Sequence, residues 1–123
     1  MAKIKLADYI IDFYAKIGVD KIFVVYGAAN GDLIDAFSRN KKTNYVAVLH
    51  EQAGGFAAEG YAKVKGNKIP GVAIATSGPG GMNLVTPAGN CFYDSVPAIF
   101  ITGQVNSNFL RPDPSVRQIG FQE

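Results

Sequence analysis

Cysteine and histidine are nearly missing from this sequence, which holds one of each, Cys91 and His50, among 123 residues. One cysteine excludes an intrachain disulfide. The N-terminus, Met-Ala-Lys-Ile-Lys, leads into an amphipathic segment and not into a signal-type apolar run with a small-residue cleavage site. Together these favour a reducing, cytoplasmic setting. Cys91 reads as a buried small hydrophobe before it reads as a nucleophile. His50 has no second histidine and no carboxylate cluster beside it, so no metal ligand set is expected within the chain. Long apolar runs are absent as well. The longest are four or five residues, against the roughly 20 of a bilayer-spanning helix, so no membrane partner is expected. Charge of one sign is not in excess either: 12 basic residues face 10 acidic ones, for a net charge of +2. That balance makes no case for nucleic acid.

What is present is an alternating pattern. With 48% hydrophobic residues the chain can bury the core of one ordinary domain. Leu6, Tyr9, Ile10, Phe13 and Ile17 recur at helical spacing over 5–17 and predict one apolar face, with Gly18 suited to end the helix. "KIFVVYG" (21–27) is a short β-branched and aromatic run ending at glycine, the pattern of a strand buried on both faces. A short helix carrying Leu33, Ile34 and Phe37 follows. Then come a strand over 43–50, an alanine-rich helix from Glu51 to Gly66, and a strand over 70–76. Ser77 to Gly81 reads as a loop. Residues 82–93 read as helical, with Pro87 starting a new segment or kinking the old one. A strand over 97–102 completes the order. Strands and helices alternating in this way predict an α/β parallel sheet with helices on both faces. The domain is expected over 1–105. Over 106–123 the periodicity fails, and that irregular segment reads as the start of a connection to parts outside the chain.

In open parallel sheets, ligands bind beyond the carboxyl ends of the strands. Here those ends carry Tyr26-Gly27, His50-Glu51-Gln52, Thr76 to Gly81, and Gly103-Gln104. All four are polar or glycine-rich, and all fall on one rim. The glycine loop is not a dinucleotide fingerprint, because the spacing that begins at Gly78 ends in Asn83. It is not a phosphate-binding Walker loop either, since no Gly-Lys-Ser/Thr occurs. Asp32, Asp35 and Asp94 are most simply solvated or capping residues, and Lys63, Lys65 and Lys68 a solvated helix end. Glu51 stands where a strand becomes a helix. The helix dipole favours a carboxylate there. Val46 to Leu49, read as core, would instead favour its protonated form. Capping and proton transfer both remain open for it at this level.

The residues "HEQAGGFAAEGYAKVKG…PGVAIATSGPGGMNLVTPAGNCFYDSVPAIFITGQV…FQE" closely resemble the N-terminal, pyrimidine-binding domain of thiamine-diphosphate enzymes, the acetolactate synthase-like branch in particular. The resemblance runs from residue 3 to 123 and implies the flavodoxin-like three-layer sandwich of that family. It implies that Glu51 hydrogen-bonds the aminopyrimidine N1′ of thiamine diphosphate, so that the 4′-imino group can deprotonate the thiazolium C2. It implies that Gly27, Pro79, Asn83 and Gln104 line the pyrimidine or substrate side. The substrate implied is a 2-keto acid such as pyruvate, in a decarboxylation or carboligation. Magnesium and diphosphate are held in that family by a second domain with Gly-Asp-Gly followed by Asn, which this chain does not contain. A homodimer or a partner chain carrying that domain is therefore implied, FAD is possible in the parent enzyme, and this chain alone is expected to be inactive. The chain departs from the family at Gly27-Ala28-Ala29-Asn30-Gly31, where Pro-Gly-Gly is usual, in its His-Glu-Gln-Ala-Gly order, and at Phe56 in place of a frequent histidine. Three other readings stand beside this one: a non-catalytic assembly or regulatory α/β module, a separate subunit of a two-chain 2-keto acid decarboxylase, and a flavodoxin-like nucleotide binder using 77–81.

Overall fold

A computed structural model of the chain describes residues 3–107. Of the irregular segment expected over 106–123, residues 108–123 lie outside the described residues. The strands are β1 (Lys21–Val24), β2 (Asn44–Ala47), β3 (Gly71–Ala75) and β4 (Ala98–Thr102). They form one sheet in the order β2-β1-β3-β4, every pair parallel. The helices are α1 (Leu6–Lys16), α2 (Gly31–Phe37), α3 (Glu51–Val64), α4 (Pro79–Met82) and α5 (Val85–Tyr93). A single 3-10 turn, Ala28–Asn30, precedes α2.

The two-residue period of the strands sorts their side chains into two cores. Ile22, Val24, Val72 and Ile74 pack with Ile11 and Tyr14 of α1 and with Ala36 and Phe37 of α2. The alternate residues, Phe23, Ala73, Ala75 and Phe100, face Ala58 of α3 and Leu84. A third cluster, Ala62, Cys91 and Val96, joins α3 to α5. Helices thus cover both faces of the sheet, as the alternation predicts. Cys91 is buried, and burial pushes its thiol above the ordinary value, so it packs as an inert hydrophobe.

Ala58, Ala73 and Ala75, on the α3 face, are small for a reason. A Cβ added to Gly71 would run into the Ala58 carbonyl, and one added to Gly55 would run into the Pro87 ring. The α3 backbone therefore lies directly against β3 on one side and α5 on the other. Glu59, buried in this second contact, ties the two helices together. Its Oε1 accepts from Lys63 Nζ and its Oε2 from Asn90 Nδ2 at 2.8 Å, while Lys63 also reaches Asp94 at 3.0 Å. The Lys63 ammonium, and after it the Asn90 amide, hold the Glu59 carboxyl below the usual carboxylate range.

Four expectations need correction. The buried face of α1 is Ile11 and Tyr14, flanked by Ala7 and Ile10, while Leu6, Tyr9, Phe13 and Ile17 are exposed. α1 is apolar around much of its circumference, and its packing against α2 and the sheet uses the set containing small Ala7. β2 is not core either. It is an edge strand paired, among the described residues, only with β1; all four of its residues, Val46 among them, are exposed, and Leu49 beyond it is exposed too. α3 leaves β2 and runs back over β1 and β3, and Phe37 of α2 reaches Tyr45 at its edge, ring centroids 5.4 Å apart. Residues 77–81 are not all loop, because Pro79 opens the one-turn helix α4 at its first position, where a missing N–H costs nothing. Lys63 and Lys65 are not merely solvated, since Lys63 pairs with Glu59 and Asp94 and Lys65 lies 3.4 Å from Asp20. Pro87 falls in the first turn of α5, a new segment after a break at Asn83 and Leu84.

Gly71→Ala is expected to cost about 1–3 kcal/mol or more, because the clash is with backbone that cannot rotate away; urea titration monitored by circular dichroism measures it. The Glu59 pair gives a pH signature. A carboxyl held low in the folded state contributes its full stability above its unfolded value, about 4.3, and loses it as pH falls through the lowered folded value. Thermal melts should show wild type above Glu59→Gln at pH 7. The gap should narrow as the solution is taken below about pH 4.

Candidate functional site

The strand order reverses between β1 and β3, which opens a crevice at their carboxyl ends. Thr76 fills the centre of that crevice. Its hydroxyl accepts the Ala29 N–H at 3.3 Å. A Cβ on Gly27 would lie 2.5 Å from Thr76 Cβ, and one on Gly80 would lie 2.8 Å from Thr76 Cγ2. Both glycines are bare because Thr76 occupies the space a side chain would take. Asn30, buried, locks the approach from β1: its Oδ1 accepts the Gly27 N–H at 3.0 Å and its Nδ2 donates to the Val25 carbonyl at 2.9 Å.

Glu51 is the first residue of α3. Capping falls to its neighbour: His50 is the N-cap, and its Nδ1 accepts the Gln52 N–H at 3.2 Å. The Glu51 carboxylate is therefore released from the task that would otherwise explain it. It turns toward α4, where its Oε2 accepts from Asn83 Nδ2 at 2.9 Å. Its Oε1 lies against Gly80, 3.2 Å from where a Cβ would stand. The surroundings of this half-buried carboxyl are thus a glycine, a threonine and an amide, and not the apolar wall expected from Val46 to Leu49.

Of the expected site residues, Glu51 and Asn83 touch each other, and Gly27 meets the same Thr76 that packs against Gly80. Pro79 starts α4, whose C-cap is Asn83. Gln104 stands apart. It is exposed and lines an open depression of about 500 Å³ with the 3-10 turn, the start of α2, Ser77 and Asn106; Glu51, Pro79 and Asn83 are not in its wall. The sequence reading placed Thr76 and Gly80 on the rim without a role of their own, and gave no role to Asn30. A signal for Asn30 was visible, since Asn before Gly at a strand-helix turn is a local hydrogen-bonding residue. The role of Thr76 depends on two loops meeting, which one sequence does not display. Among the described residues no group of three His, Cys, Asp or Glu side chains could hold a metal ion, and no helix is long and apolar enough to cross a membrane.

Residues 4–123 match the family described as thiamine pyrophosphate enzyme, N-terminal TPP binding domain. The chain belongs to this family. It is 43% identical over 117 residues to acetolactate synthase 2, chloroplastic, of Brassica napus, covering 95% of this chain and 17% of that protein. It is 41% identical over 109 residues to the chloroplastic acetolactate synthase of Arabidopsis thaliana, covering 89% of this chain and 16% of that one. To the acetolactate synthase large subunit of Corynebacterium glutamicum it is 44% identical over 107 residues, covering 87% of this chain and 17% of the relative. The chain thus spans about 17% of the length of the relatives it matches. It is an acetolactate synthase-like N-terminal TPP-binding domain, with a parallel three-layer α/β fold.

His50→Ala is expected to lower stability by about 1 kcal/mol through loss of the cap, with His50→Asn restoring most of it. Guanidinium titrations of the three chains measure this.

Proposed function

We propose that this chain supplies the aminopyrimidine-binding half of a thiamine-diphosphate-dependent 2-keto acid carboligase or decarboxylase, with Glu51 as its proton-handling residue. The observation that carries the reading is the Glu51 carboxylate: placed by α3 at the crevice, excused from capping by His50, held at Oε2 by Asn83, and bare at Oε1 beside Gly80. The residues fit a flat heteroaromatic ring with a basic nitrogen. Gly27 and Gly80 add no side chain to the crevice beside that of Thr76, and a carboxylate at its edge can exchange a proton with such a nitrogen. When bound, the cofactor supplies an electron sink for the carbon that loses carbon dioxide. Everything else asked of this chain is orientation and proton control. Glu51 binds the ring nitrogen and holds or returns its proton. Thr76 and the glycines set how deeply the ring enters, and Gly27 and Pro79 shape the walls. Gln104, on the neighbouring depression, is assigned to the substrate side.

We assign the diphosphate and its magnesium ion to residues outside this chain, on another domain or a partner chain, and pyruvate or a related 2-keto acid as substrate. A homodimer, or a partner chain carrying that domain, is the arrangement we propose to bring the two half-sites together. In the parent enzyme, Glu51→Gln is expected to lower the rate of pyruvate consumption by about 10²- to 10⁴-fold, the range of a lost proton-transfer group. Near-unchanged turnover in that variant would instead make the domain an assembly module. The separate 123-residue chain should show no pyruvate decarboxylation, which a carbon dioxide assay checks.

A further inference from the structure

We propose that Asn83 is a positioning residue, which by donating its side-chain amide to Glu51 Oε2 fixes the carboxylate so that Oε1, beside Gly80, is the oxygen that exchanges the proton. This rests on the proton-handling role proposed for Glu51, and it replaces direct cofactor contact as the task of Asn83.

A glutamate in the first turn of a helix has three side-chain torsions, and left to itself it samples several orientations. Here one oxygen is held at 2.9 Å by an amide, which can donate but cannot carry the proton away. Asn83 has no other described task. Among the described residues its one side-chain hydrogen bond goes to Glu51, and as C-cap of α4 it uses its backbone N–H alone, toward the Pro79 and Gly81 carbonyls.

The amide is itself held in place. Gly78, at φ +56°, turns the chain out of β3 through a conformation that favours glycine. Pro79 then presets the first helical residue. The Asn83 N–H closes the turn on the Pro79 carbonyl at 3.1 Å, and Leu84 directly after it is buried in the α3 core. The segment from Gly78 to Asn83 thus delivers one amide to one oxygen. On the other side Gly80 offers no Cβ, which would otherwise stand 3.2 Å from Oε1. One oxygen is clamped by the amide, and the other accepts no hydrogen bond among the described residues. A carboxylate so clamped loses little time or energy finding the productive geometry, and misplacement of about 1 Å costs on the order of 10²-fold in rate.

Two experiments test this. In the isotope-labelled 123-residue chain, the Asn83 side-chain amide protons should be displaced from the free-amide position and return to it in Glu51→Ala. Resonances unmoved by that substitution overturn the proposal whatever the function. In the parent enzyme, hydrogen-deuterium exchange at the reactive carbon of thiamine diphosphate should slow by about 10- to 100-fold in both Asn83→Ala and Asn83→Leu, with cofactor affinity changed by less than about 3-fold. Leu keeps the approximate size of Asn and its backbone N–H but has neither donor nor charge, so it tests the amide even if the alanine variant folds poorly. Wild-type exchange in Asn83→Leu alongside a large loss in Glu51→Gln overturns the positioning role and leaves the proposed function standing. No loss in Glu51→Gln itself removes both.

Discussion

The architecture depends on how closely one helix lies on one strand. At Gly71 the α3 backbone sits against β3 with no side chain between them, and the Ala58 carbonyl occupies the space a Cβ would need. Small residues then become obligatory around that contact: Ala73 and Ala75 on the strand, Gly54, Gly55, Ala58 and Ala62 on the helix. Close-packed interiors transmit a change of a single methyl group. Because Glu51 begins this same helix, the precision of the core contact is also the precision with which the carboxylate is placed. The Glu59 network between α3 and α5 adds a polar stop that ties the two helices together, and α5 begins two residues after Asn83.

Chemistry and packing are therefore joined in one element. α3 carries Glu51 at its N-terminus, the core contact along its length, and the polar clamp to α5 at Glu59 and Lys63. α1 and α2 serve the opposite face and fill it with larger side chains, among them Ile11, Tyr14 and Phe37. The sheet is thus asymmetric, close-packed and small on the site side, bulky on the other.

The order of strands and helices was legible because continuous apolar runs ending at glycines leave few alternatives for a parallel sheet. The family was legible because several motifs fall in one order, and the place of Glu51 at the start of α3 because an apolar run ends just before it. Other features were not legible, for physical reasons. Nothing local tells whether a strand such as Tyr45-Val46-Ala47 will be central or at an edge, since that is decided by which neighbours pair with it. Which face of α1 is buried was ambiguous because Leu6, Tyr9 and Phe13 compete with Ala7, Ile11 and Tyr14 at the same spacing. The cap role of His50 escaped notice because histidine is an uncommon cap and its ring nitrogen does the work an oxygen usually does. The hydrogen bond from the Asn83 side-chain amide to Glu51 spans 32 residues of sequence and exists only once the crevice has formed.

The crevice has room for only one side chain. Cβ atoms at positions 27 and 76 would stand 2.5 Å apart, closer than two carbons can be without a bond, so a side chain at one position forbids any side chain at the other. The protein gives the space to Thr76, whose hydroxyl then receives the Ala29 N–H. With the backbone held as it is, any side chain at position 27 must either displace the β1 loop or push aside the hydroxyl that receives the Ala29 N–H, so one methyl group there would disturb two loops at once.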